Sequence, residues 1–315
     1  MLILDPVTSN GMDNKKVAII GAGSVGATTA YTLVMKNLVS DIVLIDVNEA
    51  KEQGEVMDLN DVLSFVETGK IRGGDFKDAA DADIIIITAG LPQKTGDQSR
   101  LELVNKNKEI FKSIFDQISP IKLTAVIIIV TNPVDVMTYY AQELSGLPKN
   151  QVFGTGTGLD TSRLRTEISL ALNIDAKDVD GFVLGEHGES EFVAWSSVSV
   201  GGIPIKDKIT SQENLDEIEN KVRDEAKNII DRKGATFYGI AAVTIDIVEA
   251  ILMNQNKLMP VSARVDNWNG VSDICIGVPA VIGGRGVESI WSLELTDIEK
   301  EKFQRSAEII KSFIK

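Results

Sequence analysis

The chain has 315 residues, 43% of them hydrophobic, and a formal net charge of −14. That is enough apolar material for a large core, and the charge repels nucleic-acid phosphates and anionic membrane surfaces. One cysteine, Cys275, and one histidine, His187, exclude an internal disulfide and any multi-cysteine zinc or iron–sulfur site, so a protein metal cage would have to be all carboxylate and no metal is expected.

Residues 1–14 lack the basic start and apolar core of a signal peptide and are expected to form a flexible extension, with Met12 as an alternative start. The longest apolar run, residues 125–130, has the length of a strand and falls far short of the roughly 20 residues that span a bilayer. Together with the cysteine usage, this suggests a cytoplasmic protein.

From Lys16 onward, apolar β-branched runs alternate with helical patterns, as in βαβ units whose parallel sheet is buried on both faces. Residues 17–20 read as the first strand, followed by Gly21-Ala22-Gly23-Ser24-Val25-Gly26 and a helix to about residue 37. Residues 41–45 read as a second strand ending at Asp46, twenty residues beyond the third glycine. This is a G-x-G-x-x-G between a strand and a helix, with an acid at the expected distance. Its glycines allow a tight turn and close approach to a pyrophosphate, and the helix N-terminus offers free N–H donors. Asp46 would accept hydrogen bonds from the adenosine ribose and repel a 2′-phosphate, which favours NAD over NADP.

Residues 49–60 suggest an acidic helix and residues 84–88 a third strand. The polar segment from Ala89 and Gly90 to Arg100 has Pro and Gly punctuation incompatible with regular structure. At the carboxyl end of a parallel strand, its Gln93 and Arg100 are positioned to meet a substrate, although a solvated surface loop would have the same composition. A helix is expected over residues 101–118 and a strand over 123–130. The strand leads to Asn132, whose amide can donate and accept at the sheet edge. The isomer of the Asn132–Pro133 bond is left open. A helix over 134–144 and a short strand near Val152 close a first domain, residues 15–155.

The second domain, residues 156–315, begins with a glycine-rich approach to a helix carrying Asp160 and Arg163, which at a spacing of three share one face. Such a pair alone is more often a surface ion pair. Residues 179–184 read as a strand ending in Gly185-Glu186-His187-Gly188. Imidazole is the one side chain that ordinarily titrates near neutral pH, so any histidine chemistry must use His187; a polar residue beside a glycine turn is the plainer alternative. Further on, residues 192–200, 203–205, 259–265, 274–278 and 286–293 suggest antiparallel strands. Residues 214–232, 236–253 and 297–314 suggest helices, with the charge-rich stretch 211–232 a solvated face. The expected fold is α/β: a Rossmann-type doubly wound parallel sheet followed by a mixed α+β substrate domain with antiparallel strands.

From Lys16 to the end, the chain resembles the L-lactate and malate dehydrogenase family. The glycine motif with Asp46, the Gln93–Arg100 loop, Leu159-Asp160-Thr161-Ser162-Arg163, and Gly185-Glu186-His187-Gly188 carry the match in the same order. The resemblance implies NAD as cofactor, held by Gly21, Gly23, Ser24, Val25, Gly26, Asp46, Ala89, Gly90 and Asn132. It implies His187 as the proton donor and acceptor, Asp160 as the group that orients its ring, and Arg163 as the partner of a substrate carboxylate. Arg100 would polarise the substrate carbonyl from a closing loop, with Gln93, Asn132 and Thr236 lining the substrate site. The implied partners are a small 2-oxo or 2-hydroxy acid and further copies of the chain in a dimer or tetramer, with neither nucleic acid nor membrane.

In this family a neutral amide at Gln93 suits the methyl of pyruvate, as does Thr236. The segment from Gln93 to Arg100 is one residue longer than in lactate enzymes, however, and if Lys94 takes the selective position, oxaloacetate and malate become the alternative. Where bacterial relatives activated by fructose 1,6-bisphosphate pair an arginine, matched by Arg165, with a histidine, this chain has Asp180; little or no activation is expected. Two remoter readings are an NAD-dependent glycosidase, which would need a metal on Cys and His, and a non-enzymatic dinucleotide sensor, which would not need Asp160, Arg163 and His187.

Overall fold

The computed structural model describes residues 15–67, 69–91 and 100–314, the side chain of Arg100 excepted; the expected extension 1–14 lies outside them. Six parallel strands come first: β1 (Lys16–Ile20), β2 (Asp41–Ile45), β3 (Lys70–Gly73), β4 (Ile84–Ile87), β5 (Val126–Ile129) and β6 (Val152–Gly154). Between them run α1 (Ser24–Lys36), α2 (Glu49–Asp61), α3 (Phe76–Ala80), α4 (Arg100–Ile118) and α5 (Val134–Ser145). The spatial order β3-β2-β1-β4-β5-β6 is doubly wound, with the reversal between β1 and β4.

Strand periodicity divides two cores. Ile85, Ile87, Ile127 and Ile129 point to one face and pack with Phe111 and Phe115 of α4 and Met137 of α5. Ile84, Ile86, Val126 and Ile128 point to the other, in one cluster with Leu33 and Val34 of α1. Burial on both faces explains why β4 is four consecutive isoleucines rather than an alternating pattern.

The second half contains α6 (Gly158–Leu172), β7 (Val179–Asp180), β8 (Val183–Leu184), β9 (Phe192–Val193), β10 (Ser199–Val200), β11 (Ile203–Pro204), α7 (Gln212–Lys233), α8 (Tyr238–Leu252), β12 (Lys257–Val265), β13 (Ile274–Gly283), β14 (Gly286–Ile290) and α9 (Asp297–Ile314). The antiparallel set β12-β13-β14 continues the parallel sheet: Ser262 of β12 pairs with Gly154 of β6, giving nine strands in one sheet among the described residues. A third core under α6 and α7 gathers Leu164, Ile168, Trp195, Ile218 and Val222.

The sequence reading needs correction at three places. The strand expected over 179–184 is two strands, because Gly181 turns at φ +146° and sends β7 to β10 and β8 to β9. The strand expected over 192–200 is interrupted by a 3-10 turn at Trp195–Ser197. Edge strand β3 (Lys-Ile-Arg-Gly) and α3 escaped notice, since a polar edge strand carries little hydrophobic signal; they make the strand over 84–87 the fourth.

One contact between strands bears on the site. Gly185 and Gly277 exchange backbone hydrogen bonds of 3.1 and 2.9 Å, and a Cβ on Gly277 would lie 2.6 Å from the Gly185 carbonyl oxygen and 2.8 Å from Thr157 Oγ1. Gly277→Ala is therefore expected to destabilise the protein by about 1–3 kcal/mol, the usual range for overpacking; an unchanged urea midpoint would show that the two strands separate without cost.

Candidate active site

The glycine loop has the form a dinucleotide needs. Gly21 has φ +111°, and a Cβ there would stand 2.6 Å from Thr88 Oγ1 and 2.7 Å from the Ala89 nitrogen. A Cβ on Gly26 would fall 1.8 Å from the Gly21 carbonyl oxygen, so helix α1 rests directly on the loop. Gly23 differs: nothing lies within 4 Å of its Cβ position. It is the N-cap of α1, no side chain caps the helix, and no acid stands in the first turn, which holds Ser24, Val25 and Gly26. Its N–H groups are free of intrahelical partners and suit a pyrophosphate. The residues present thus fit NAD.

Asp46, at the end of β2, also braces this loop: its carboxylate accepts from the Ala22 N–H at 2.7 Å and the Asn48 N–H at 2.9 Å. Across the crevice, Ala89 N–H donates to the Ile20 carbonyl, and Thr131 Oγ1 donates to the Ala89 carbonyl at 2.8 Å. A Cβ on Gly90 would lie 2.3 Å from Thr131 Cγ2. Asn107 of α4, fully buried, accepts from Leu91 N–H at 2.8 Å and donates to the Asn132 carbonyl at 2.8 Å, tying the loops after β4 and β5 together. Asn132 itself is exposed, and its bond to Pro133 is cis.

The second cluster is built on α6. Asp160 Oδ1 accepts from Arg163 Nη1 at 2.9 Å, and Asp160 Oδ2 faces His187 Nδ1 at 2.6 Å. Threonines set this alignment: Thr161 Oγ1 accepts from the Val183 N–H at 3.0 Å and Thr157 Oγ1 donates to the Val183 carbonyl at 2.6 Å, which fastens β8 to α6. The turn after β8 then presents His187, whose backbone N–H donates to Asp135 Oδ2 at 2.9 Å; Asp135 Oδ1 accepts from Ser262 Oγ at 2.6 Å. Asp135 lies in the first turn of α5, three residues after Asn132, so the helix that follows the Asn132 loop also holds the histidine turn.

Burial works against the charge on all three groups, and the neighbours decide. His187 would be lowered by desolvation, but the charge of Asp160 and its hydrogen bond hold it up to about 9. Asp160 would be raised by burial, yet His187 and Arg163 keep it below the usual carboxylate range. Asp135 has no cation bound to it, and burial pushes it up to about 6. The pair Asp160–His187 therefore rests as carboxylate and imidazolium, with His187 Nε2 as the nitrogen left for a substrate. The His187 side chain is 23% exposed, while Asp160 is 1% and Arg163 5% exposed.

Of the other expected site residues, Thr236 is half-buried in the link between α7 and α8, where Gly239 of α8 packs on Leu159 beside Asp160. Arg100 opens helix α4. Gln93, Lys94 and the rest of residues 92–99 lie outside the described residues. Asp135, Asn107 and Glu191 were not anticipated. Glu191 stands four residues after His187, with Oε2 at 3.9 Å from His187 Nδ1; the segment is a turn rather than a helix or strand, so periodicity could not be used to bring the two together.

The ionic state of His187 has a pH signature. A histidine held above its ordinary value stabilises the fold fully below 6.5, and that stabilisation is lost as pH rises through about 9. In the cofactor-free protein, the unfolding free energy of the wild type relative to His187→Gln is expected to shrink by on the order of 2–3 kcal/mol between these limits. A pH-independent difference in urea titrations would refute the ion pair. Asp135 acts in a separate window: its raised value favours the fold below 3.8, and that contribution is lost as pH rises through about 6.

The chain is similar to known proteins over nearly all its length. Residues 15–154 match the family model described as lactate/malate dehydrogenase, NAD binding domain, and residues 157–315 that described as lactate/malate dehydrogenase, alpha/beta C-terminal domain. An L-lactate dehydrogenase of Clostridium botulinum is 45% identical over 304 residues, 94% of this chain and 95% of that protein. One of Acetivibrio thermocellus is 43% identical over 307 residues, 96% of each. Among solved structures, a lactate dehydrogenase from a Medee basin deep-sea metagenome library superposes with a TM-score of 0.92 at 41% identity, covering 96% of this chain and 98% of that one. The minor L-lactate dehydrogenase of Enterococcus mundtii gives 0.92 at 40% identity, with 95% and 97% covered. With both family models matched and relatives this similar along the whole described chain, the protein belongs to the lactate/malate dehydrogenase family.

Proposed function

We propose that the chain is an NAD-dependent L-lactate dehydrogenase that interconverts pyruvate and L-lactate. The observation that carries this reading is the Asp160–His187–Arg163 cluster: an imidazole oriented by a buried carboxylate that also holds an arginine suited to a substrate carboxylate. NADH, held by the glycine loop and Asp46, would supply the hydride for the substrate carbonyl carbon when bound. His187 delivers the proton from Nε2 to the carbonyl oxygen in reduction and takes it back in oxidation. Asp160 keeps Nδ1 protonated, which fixes the tautomer and stabilises the imidazolium between turnovers. The part of the Arg163 guanidinium not bound to Asp160 pairs with the substrate carboxylate, and its planar fork gives a directionality that lysine lacks. Arg100 polarises the carbonyl as its loop closes.

Gln93, Asn132 and Thr236 complete the substrate site in this reading, and the neutral amide of Gln93 favours a methyl over a second carboxylate. The relatives' description as L-lactate dehydrogenases supports the same choice. Residues 15–155 hold NAD and residues 156–315 the substrate machinery, with the working form a homo-oligomer. No helix among the described residues is long and apolar enough to cross a membrane, which agrees with a cytoplasmic enzyme. Asp180, exposed on β7, sets a carboxylate where activated relatives bind a phosphate.

A comparison of kcat/KM for pyruvate and oxaloacetate with NADH tests the assignment, since specificity is the ratio of these quantities. Pyruvate is expected to be preferred, with no fall in its KM on adding fructose 1,6-bisphosphate; preference for oxaloacetate would transfer the assignment to malate and the selective role to Lys94. Arg163→Lys is expected to lower kcat/KM for pyruvate about 10–100-fold, the worth of one charge-assisted hydrogen bond. Retained efficiency would remove Arg163 from the carboxylate site.

A further inference from the structure

We propose that Glu191 is a neutral carboxylic acid that donates its O–H to Asp160, so that the histidine is backed by a proton-sharing carboxyl pair rather than by a single aspartate. The inference rests on the reading of His187 as the proton carrier for its catalytic consequence, though not for the proton itself.

The geometry forces the question of charge. One ligand atom each from Asp160, His187 and Glu191 lies within 4.8 Å of the others, and Asp160 and Glu191 are 1% and 6% exposed. Asp160 takes both available cations, Arg163 at 2.9 Å and His187 at 2.6 Å. Glu191 is 3.9 Å from His187 Nδ1, beyond hydrogen-bond reach, and that nitrogen is already committed to Asp160. Two buried carboxyl groups this close resist ionising together at neutral pH; one keeps a proton that it can donate to the other.

The surroundings leave Glu191 as the protonated member. From α5, Asp135 adds a further carboxylate against His187. On the same turn, Glu186 is buried and accepts the Ser190 hydroxyl at 2.5 Å. From α7, Glu225 stands 3.8 Å from Arg163 Nε, and Arg223 shares an outer pocket with Glu191 but pairs with Glu219 at 3.2 Å. From α9, Lys302 pairs with the same Glu219 oxygen at 3.0 Å, and Arg305 is exposed to solvent. A cation bound between Asp160, His187 and Glu191 would have to displace the 2.6 Å His187–Asp160 contact beside the Arg163 charge, whereas a proton adds no bulk to the cluster. Burial, followed by the Asp160 charge, holds Glu191 well above the usual carboxylate range.

The consequence is a tempered dyad. An O–H donated to Asp160 draws electron density from it and loosens its hold on the imidazolium, which keeps the His187 proton transferable; an ionised Glu191 would tighten that hold. Glu191 is thus a positioning residue that acts through Asp160.

The test is the pH dependence of kcat/KM for pyruvate, whose alkaline limb reports His187. Glu191→Gln retains a neutral donor, so the alkaline pKa is expected to hold within a few tenths of a unit while the plateau falls severalfold. If Glu191 were ionised, the same change would remove an anion beside the imidazole and lower that pKa by about 1 unit or more, which overturns the proposal. Glu191→Leu removes the donor and is expected to raise the alkaline pKa; no change there would overturn the tempering role. Infrared difference spectra of the intact wild-type enzyme with isotope-labelled glutamate supply a readout independent of folding of the variants and of substrate identity. A label-shifted carbonyl band of a protonated carboxyl at neutral pH supports the proposal, and its absence refutes it even if the enzyme proves to act on another 2-oxo acid.

Discussion

The buried carboxylate of Asp160 is the constraint around which the rest of the molecule is arranged. An ionised carboxylate at 1% exposure is tolerable only because Arg163 and His187 face its two oxygens at 2.9 and 2.6 Å. Removing one partner from such a group typically costs about 3–5 kcal/mol, since the remaining charge is left buried and uncompensated. The fold therefore has to hold three elements in fixed relation: α6, the turn after β8, and the first turn of α5.

Each of these relations has an identifiable device. Thr157 and Thr161 hydrogen bond both backbone groups of Val183 and fasten β8 to α6. Gly185 and Gly277 bring the histidine turn onto β13 with no side chain between the backbones. Asp135 spans from α5 to the His187 N–H and to Ser262 of β12. Since β12 pairs with β6, the antiparallel half of the molecule is continuous with the dinucleotide sheet. The His187 turn is thereby fastened to the sheet that carries the glycine loop, through the Gly185–Gly277 bridge to β13 and through Asp135 of α5.

Much of this was legible in advance because it depends on local rules. Buried isoleucine runs, the glycine spacing before α1 and an acid ending β2 identify a dinucleotide crevice through backbone geometry that only certain residues permit. Helical spacing put Asp160 and Arg163 on one face and composition left His187 as the one histidine, but each alone read more plainly as an ion pair or a turn residue, and their roles came from the family resemblance. The strand breaks at Gly181 and at Trp195–Ser197 were not readable, because an apolar run looks the same whether it pairs with one neighbour or two.

What the sequence by itself determined was the fold class and a dinucleotide crevice, which follow from periodicity, turn chemistry and glycine spacing acting within a few residues of chain; the family resemblance carried by four motifs implied the roles of Asp160, Arg163 and His187. What only the tertiary structure decided was the charge state of that set. Asp135 reaches His187 from 52 residues before it, and Glu191 lies four after it in a turn rather than a helix. Burial and proximity of carboxylates set their ionisation, and both quantities exist only once distant segments have packed together.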